Sequence, residues 1–199
     1  MPLDFRRRLH GYFEEMASDY AQSIEPVFQP LVEALVEAAH LRPSDRVLDL
    51  GAGTGLAARI AAPRSACVAA ADLSHSMLRV AHRLGVSNPV QADMHRLPLA
   101  GDTFHVALAA LAFNSTDPAL SLREALRVLR PGGRLVLQEW GTSDALSVLF
   151  DETLGGYAVE EPPPDLAAQR EARFAYHPWD ELETSEDIVD ALRSAGFER

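Results

Sequence analysis

Three aspartates and one run of glycines have the residue types from which a nucleotide-like cofactor site is built. Gly51-Ala52-Gly53-Thr54-Gly55 follows directly on Arg46-Val47-Leu48-Asp49-Leu50. Glycines let a backbone approach a ligand closely and adopt positive φ. Asp72 lies about twenty residues beyond the turn, the spacing at which an acid accepts hydrogen bonds from ribose hydroxyls. Asp93 stands further on, in Gln91-Ala92-Asp93-Met94. Gly51 and Gly53 fit the dinucleotide fingerprint G-x-G-x-x-G/A, but its third position falls on Leu56 and the third glycine comes one residue early, at Gly55. Each residue also has a plainer use. The glycines alone can make a tight turn, Asp49 can cap local backbone, and Asp72 can cap the helix that follows.

These residues need elements to hold them. Apolar residues at Val27, Phe28, Leu31, Val32, Leu35, Val36 and Ala39 predict a helix over Ile24–Leu41, after a short helical or irregular lead-in from Phe13 to Tyr20. Arg46–Leu50 is a short apolar strand running into the glycine turn, and Leu56–Ala62 a helix. Cys67–Ala71 is a second strand, and Ser74–Leu84 a helix with Ser74 as its N-cap. Pro89–Ala92 and Phe104–Phe113 read as strands three and four, and Pro118–Leu129 as a helix. Arg130-Pro131-Gly132-Gly133 reads as a sharp turn before a fifth strand, Arg134–Trp140. Strands alternate with helices, and most strands are apolar on both faces. That predicts an α/β, Rossmann-like, mostly parallel sheet with helices on both faces. Beyond Trp140 the pattern loosens into an expected helix over Ala145–Leu154 and a stiff segment, Glu161-Pro162-Pro163-Pro164. A last helix opens at Thr184 and ends at Ala195, with Gly196 as its C-cap. The domain organisation expected is one domain over 1–199: a helical cap over 1–41, a cofactor-binding core over 46–140, a substrate-cap insertion over 141–183 and the last helix over 184–199.

Composition narrows the chemistry. The 199 residues carry a formal net charge of -11, which repels nucleic acid. All 18 basic residues are arginine, so a Walker A lysine, a pyridoxal Schiff base and a lysine nucleophile are excluded. The single cysteine, Cys67, excludes an intramolecular disulfide and a cysteine-rich zinc site, and no metal is expected. No apolar run approaches the ~20 residues of a membrane span, and the start has no apolar stretch of a secretory signal. A cytoplasmic location is the expectation.

Four segments in order resemble the class I S-adenosylmethionine-dependent methyltransferases, and within them the subgroup of the ubiquinone and menaquinone biosynthesis enzymes. Val47–Gly55 is similar to the first motif of that family and Asp72-Leu73-Ser74-His75-Ser76-Met77-Leu78 to the ribose-binding motif. Gln91–Leu99 is similar to the adenine-binding loop, and Glu124–Gly133 to the helix and turn before strand five. The resemblance implies sheet order 3-2-1-4-5 and S-adenosylmethionine as cofactor, with S-adenosylhomocysteine as product. It implies that Gly51, Ala52, Gly53 and Gly55 pass under the methionine part of the cofactor, with Asp49 orienting the turn. Asp72 would hold both ribose hydroxyls; asparagine there is expected to cost less affinity than alanine. Asp93 and the Met94 amide would read the adenine, with Leu73 and Met77 on its faces. Tyr20 would contact the methionine end, and Ala110 would stand at the exit of strand four.

The chain departs from the family at His105, where an aspartate usually follows the phenylalanine of strand four, and at Phe113-Asn114-Ser115-Thr116-Asp117, where many members carry histidines. The family's terminal strand hairpin is missing after Gly196-Phe197-Glu198-Arg199, so a truncated domain with strand five as an exposed edge is expected. A homodimer would cover that edge. Methyl transfer is a displacement at a carbon the sulfonium has already activated, so positioning supplies much of the rate and no general base is assigned. Asn114, Glu139 and Trp140 are the candidates near the strand ends. His10, His95 and His177 read as solvent-facing. Aromatic-bearing stretches Phe5–Phe28 and Thr142–Trp179 suit an apolar lid over a small organic substrate. Two other functions compete: a non-enzymatic S-adenosylmethionine-binding module or partner subunit, and a nicotinamide-dependent oxidoreductase. The displaced third glycine and the adenine-loop match weigh against the second.

Overall fold

A computed structural model describes residues 3–140, 182 and 184–198. Five parallel strands form one sheet in the order β3-β2-β1-β4-β5. They are β1 (Arg46–Leu50), β2 (Cys67–Asp72), β3 (Pro89–Gln91), β4 (Phe104–Ala110) and β5 (Leu129–Gln138). The order reverses between β1 and β4, which opens a crevice beyond the carboxyl ends of the strands. Register brings Leu50 beside Ala71, and Asp72 beside Gln91. The residues that follow β1, β2 and β4 therefore emerge together at one edge.

Period-two alternation sorts the apolar side chains onto two faces. Val47, Val106 and Leu108 pack with Val32 and Val36 of α2 (Glu25–Ala38) and with Ala57, Ala58 and Ala61 of α3 (Leu56–Ala61). α4 (His75–Arg83) adds Ala81 to the same face. Leu48, Leu50 and Ala107 pack with Leu122, Ala125 and Val128 of α5 (Pro118–Val128), and Leu192 of α6 (Ser185–Ala195) leans on that cluster. Leu48 and Leu108 are 0% exposed, and each such side chain contributes about 1.5–3 kcal/mol of burial.

Local signals behave as expected at three helix ends. The Ser74 side chain accepts the Met77 N–H at α4, and Thr184 and Asp187 form a reciprocal capping box at α6. Gly196, at φ 99°, ends α6. Elsewhere the structure differs. The lead-in is a long helix, α1 (Leu3–Asp19), continued through a π-helical turn at Tyr20–Ile24 directly into α2. β4 stops at Ala110 rather than Phe113, because Leu111 takes φ 55° and a 3₁₀ turn follows at Phe113–Ser115. β5 begins at Leu129: Phe104 pairs with Leu129, and pairing resumes at Val106 with Arg134 after a bulge that absorbs the Pro-Gly-Gly run. The helix expected at 145–154, the proline segment at 161–164, His177 and the aromatics of 142–179 lie outside the described residues.

Candidate cofactor site

A cavity of about 180 Å³ opens where the strand ends meet α1. Of the residues expected there, Tyr20, Gly51, Gly53, Asp72, Leu73, Met77, Asp93, Met94 and Ala110 line it. Asp49, Ala52 and Gly55 do not line it; they build the turn from behind.

Asp72 ends β2 facing the glycine turn. Its Oδ2 accepts the Gly53 N–H at 2.8 Å and its Oδ1 accepts the Ser74 N–H at 2.7 Å. Burial raises its pKa, and the two backbone donors pull the other way. One carboxylate thus pins the glycine turn to the end of β2 while lining the cavity.

Asp49 lies under the turn, 1% exposed, and its Oδ2 accepts the Ala58 N–H at 2.9 Å in the first turn of α3. Burial pushes its pKa up to about 7, against the pull of that N–H; the charge of Asp72 adds to the rise. The plainer reading of Asp49, a cap on local backbone, describes its contact. Gly55 is the left-handed N-cap of α3, and a Cβ there would stand 2.5 Å from Val86 Cγ2. Gly55 is needed for packing. Gly51 brings the backbone against the exit of β4: its Cβ would meet that of Ala112 at 2.5 Å. Gly53 has open space on its Cβ side.

Tyr20 sits on the π-helical turn. Burial raises its pKa first, then the charges of Glu25, Tyr12 and Asp72, so the phenol keeps its proton and remains a donor. Behind the turn lies a polar cluster that sequence reasoning missed. Thr54 Oγ1 donates to Glu25 Oε2 at 2.5 Å, and Arg59 donates to Glu25 Oε1. Glu25 is 8% exposed. Its position in an amphipathic helix gave no sign of a partner about thirty residues away.

Two histidines stand differently from expectation. His10 is not simply a surface residue: it lines the cavity from α1 and lies 3.4 Å from Glu14, whose carboxylate accepts the Ser76 N–H at the start of α4. His95 is not solvent-facing. Its side chain is 11% exposed, with Nδ1 3.1 Å from Asp93 Oδ1 and Nε2 accepting the Asp117 N–H at 2.9 Å. The burial follows from the short reach between the Asp93 loop and the start of α5, which no local pattern announces.

Of the other candidates, Glu139 Oε1 accepts the Phe113 N–H at 2.7 Å, and Trp140 packs edge-on against Phe28 at 5.7 Å. The side chain of Asn114 lies outside the described set. His105 Nδ1 accepts the Arg46 N–H at 3.1 Å, a local structural role. Among the described residues there is no cluster of three metal-ligating side chains, and no helix is long and apolar enough to cross a membrane.

The cavity pairs two carboxylates with apolar walls. Asp72 and Asp93 suit hydroxyl and amine donors, Leu73, Met77 and Met94 suit a flat ring, and the open side of Gly53 leaves room for a ligand to approach the turn. That combination fits an adenosine-bearing cofactor at the crevice of a doubly wound sheet.

Comparison with known proteins agrees. The model of the methyltransferase domain family matches residues 48–137. The chain is 36% identical over 185 residues to the ubiquinone/menaquinone biosynthesis C-methyltransferase UbiE of Vibrio vulnificus, covering 82% of this chain and 68% of that protein. It is 39% identical over 127 residues to the demethylmenaquinone methyltransferase of Mycobacterium marinum, covering 63% and 54% respectively. A solved structure from Bacillus halodurans superposes with a TM-score of 0.64 at 27% identity, over 84% of this chain and 68% of that one. The fold is the Rossmann-like one of the methyltransferases. The chain belongs to the S-adenosylmethionine-dependent methyltransferase family, as its motifs implied, and S-adenosylmethionine is the cofactor of that family. The chain spans about half the length of several of the relatives it matches.

Proposed function

We propose that this chain transfers a methyl group from S-adenosylmethionine to a small, largely apolar organic acceptor, with a quinone-type ring as the first class to test. The observation that carries this is the pairing of Asp72 and Asp93 around one cavity that also exposes the apolar side chains of Leu9, Phe13, Leu97, Leu111 and Ala112. The names of the relatives from Vibrio vulnificus and Mycobacterium marinum favour the quinone class.

When bound, the cofactor supplies a methyl group on a positively charged sulfur. The chain's own residues hold and orient. Asp72 accepts from ribose hydroxyls with the lone pairs its backbone donors leave. Asp93 accepts from the adenine amine, and Leu73, Met77 and Met94 cover the ring. The Gly51–Gly53 backbone runs beside the methionine portion, where the protonated Tyr20 phenol is a donor. Leu9 and Phe13 of α1 give the cavity an apolar side. No general base is assigned: Glu139 Oε1 holds the Phe113 N–H.

Labelled cofactor and a panel of acceptors test this. Reduced benzoquinones and naphthoquinones lacking one ring methyl should take up label, and basic or nucleic-acid acceptors should not. Binding of S-adenosylhomocysteine without transfer to any acceptor would favour the cofactor-binding module instead. NAD should not compete.

A further inference from the structure

Asp93 lines the cavity, Asp117 follows directly on the lining residues Ser115 and Thr116, and His95 joins the two aspartates. Two hydrogen bonds and one close polar approach define the link. The His95 backbone N–H donates to Asp93 Oδ1 at 2.9 Å, and His95 Nδ1 stands 3.1 Å from the same oxygen. His95 Nε2 accepts the Asp117 backbone N–H at 2.9 Å. A backbone N–H has only a proton to offer, so Nε2 carries a lone pair and Nδ1 carries the proton. Both nitrogens are then used in complementary senses. The two donors meeting on one oxygen fix the orientation of the Asp93 carboxylate.

The far end of the link is also structural. Asp117 is the N-cap of α5, its side chain accepting the Leu120 N–H at 3.1 Å. Immediately before it, Ser115 and Thr116 line the cavity. The imidazole therefore ties the loop bearing Asp93 to the segment bearing Ser115 and Thr116.

We propose that His95, as its Nδ1–H tautomer, is a positioning residue that holds Asp93 in the orientation that reads the cofactor's adenine and couples that loop to the Ser115–Asp117 segment. The proposal rests on the cofactor placement given above. It assigns His95 no contact with the reacting atoms.

Asparagine and glutamine divide the two halves of the link. The amide nitrogen of His95→Asn takes the place of Nδ1 and keeps the donor to Asp93. The amide oxygen of His95→Gln takes the place of Nε2 and keeps the acceptor for Asp117. Titration of S-adenosylhomocysteine into the whole chain, with thermal melts on the same samples, reads both. His95→Phe should bind about tenfold more weakly. His95→Asn should recover most of that loss, and His95→Gln little of it. In the melts the order should reverse, with His95→Gln closer to the unsubstituted chain. Nitrogen-15 spectra of labelled histidine should give a protonated Nδ1 and an unprotonated Nε2 for His95.

An Nε2–H tautomer would overturn the proposal. So would equal affinities for the asparagine and glutamine variants, or affinity unchanged in all three, while the unsubstituted chain binds S-adenosylhomocysteine. Failure of the unsubstituted, folded chain to bind it would overturn both this inference and the functional reading beneath it.

Discussion

Asp72 and Gly53 are joined across the sheet edge by a 2.8 Å hydrogen bond from the glycine amide to Oδ2, so the acid expected to read ribose also clamps the cofactor turn. Its second oxygen is engaged by Ser74 N–H at 2.7 Å. An asparagine can accept only through its oxygen; its NH₂ would face one of the two backbone donors. The milder cost expected of asparagine from charge alone is therefore lost. Asp72→Asn and Asp72→Ala should each weaken S-adenosylhomocysteine by about 1.5–3 kcal/mol, read by calorimetry.

Asp49 makes stability depend on pH. Its pKa in the folded chain is pushed up to about 7 from an ordinary value of 3.8. Between those values the folded chain holds a proton there that the unfolded chain has released, so stability from this group falls as pH rises through that window and is level above it. Asp72, also raised, acts in the same direction. Asp49→Asn keeps an oxygen for the Ala58 N–H and removes the charge. Melting temperatures between about pH 5 and pH 8 should fall by several degrees more for the unsubstituted chain than for the variant.

The parallel sheet was legible because its strands are buried on both faces and read as apolar runs between turn residues. The glycine turn and Asp72 were legible because their spacing is tied to a strand, a turn and a helix. What escaped were features made by contacts distant in sequence. The end of β4 turns on a leucine at φ 55°, for which the side chain offers no signal. The start of β5 runs through Pro131-Gly132-Gly133, which local chemistry reads as a turn, because Leu129 still pairs with Phe104. His95 is buried by Asp117, and Glu25 by Thr54 and Arg59. Neither pairing follows any helix or strand period.

The Glu25 cluster holds α2 to the cofactor turn and to α3. Glu25→Leu would leave Arg59 and Thr54 without their acceptor. Arg59 keeps a side-chain exposure of 27%, which lets water take part of the charge and puts the cost at the low end for a buried pair. A loss on the order of 2–4 kcal/mol is expected in urea unfolding. Glu25→Leu combined with Arg59→Met should regain a good part of it, because the charge left behind is then gone. A double variant no better than Glu25→Leu would mean that the loss comes from packing.

Two glycines in one turn should fail in different ways. Gly53 and Gly55 both take positive φ, 53° and 79°, so alanine at either strains the backbone by about 1–2 kcal/mol. Their surroundings differ. A Cβ on Gly55 would stand 2.5 Å from Val86 Cγ2 and 3.1 Å from Ala81 Cβ, inside the face built by α3 and α4. Overpacking there adds about 1–3 kcal/mol, so Gly55→Ala should melt clearly lower. A Cβ on Gly53 meets nothing within 4 Å and this residue lines the cavity. Gly53→Ala should therefore lose only the backbone strain in a melt, yet bind S-adenosylhomocysteine at least tenfold more weakly, because the methyl group occupies space the methionine portion needs. Paired melts and titrations check this. Normal affinity in a stable Gly53→Ala would move the methionine portion away from the turn.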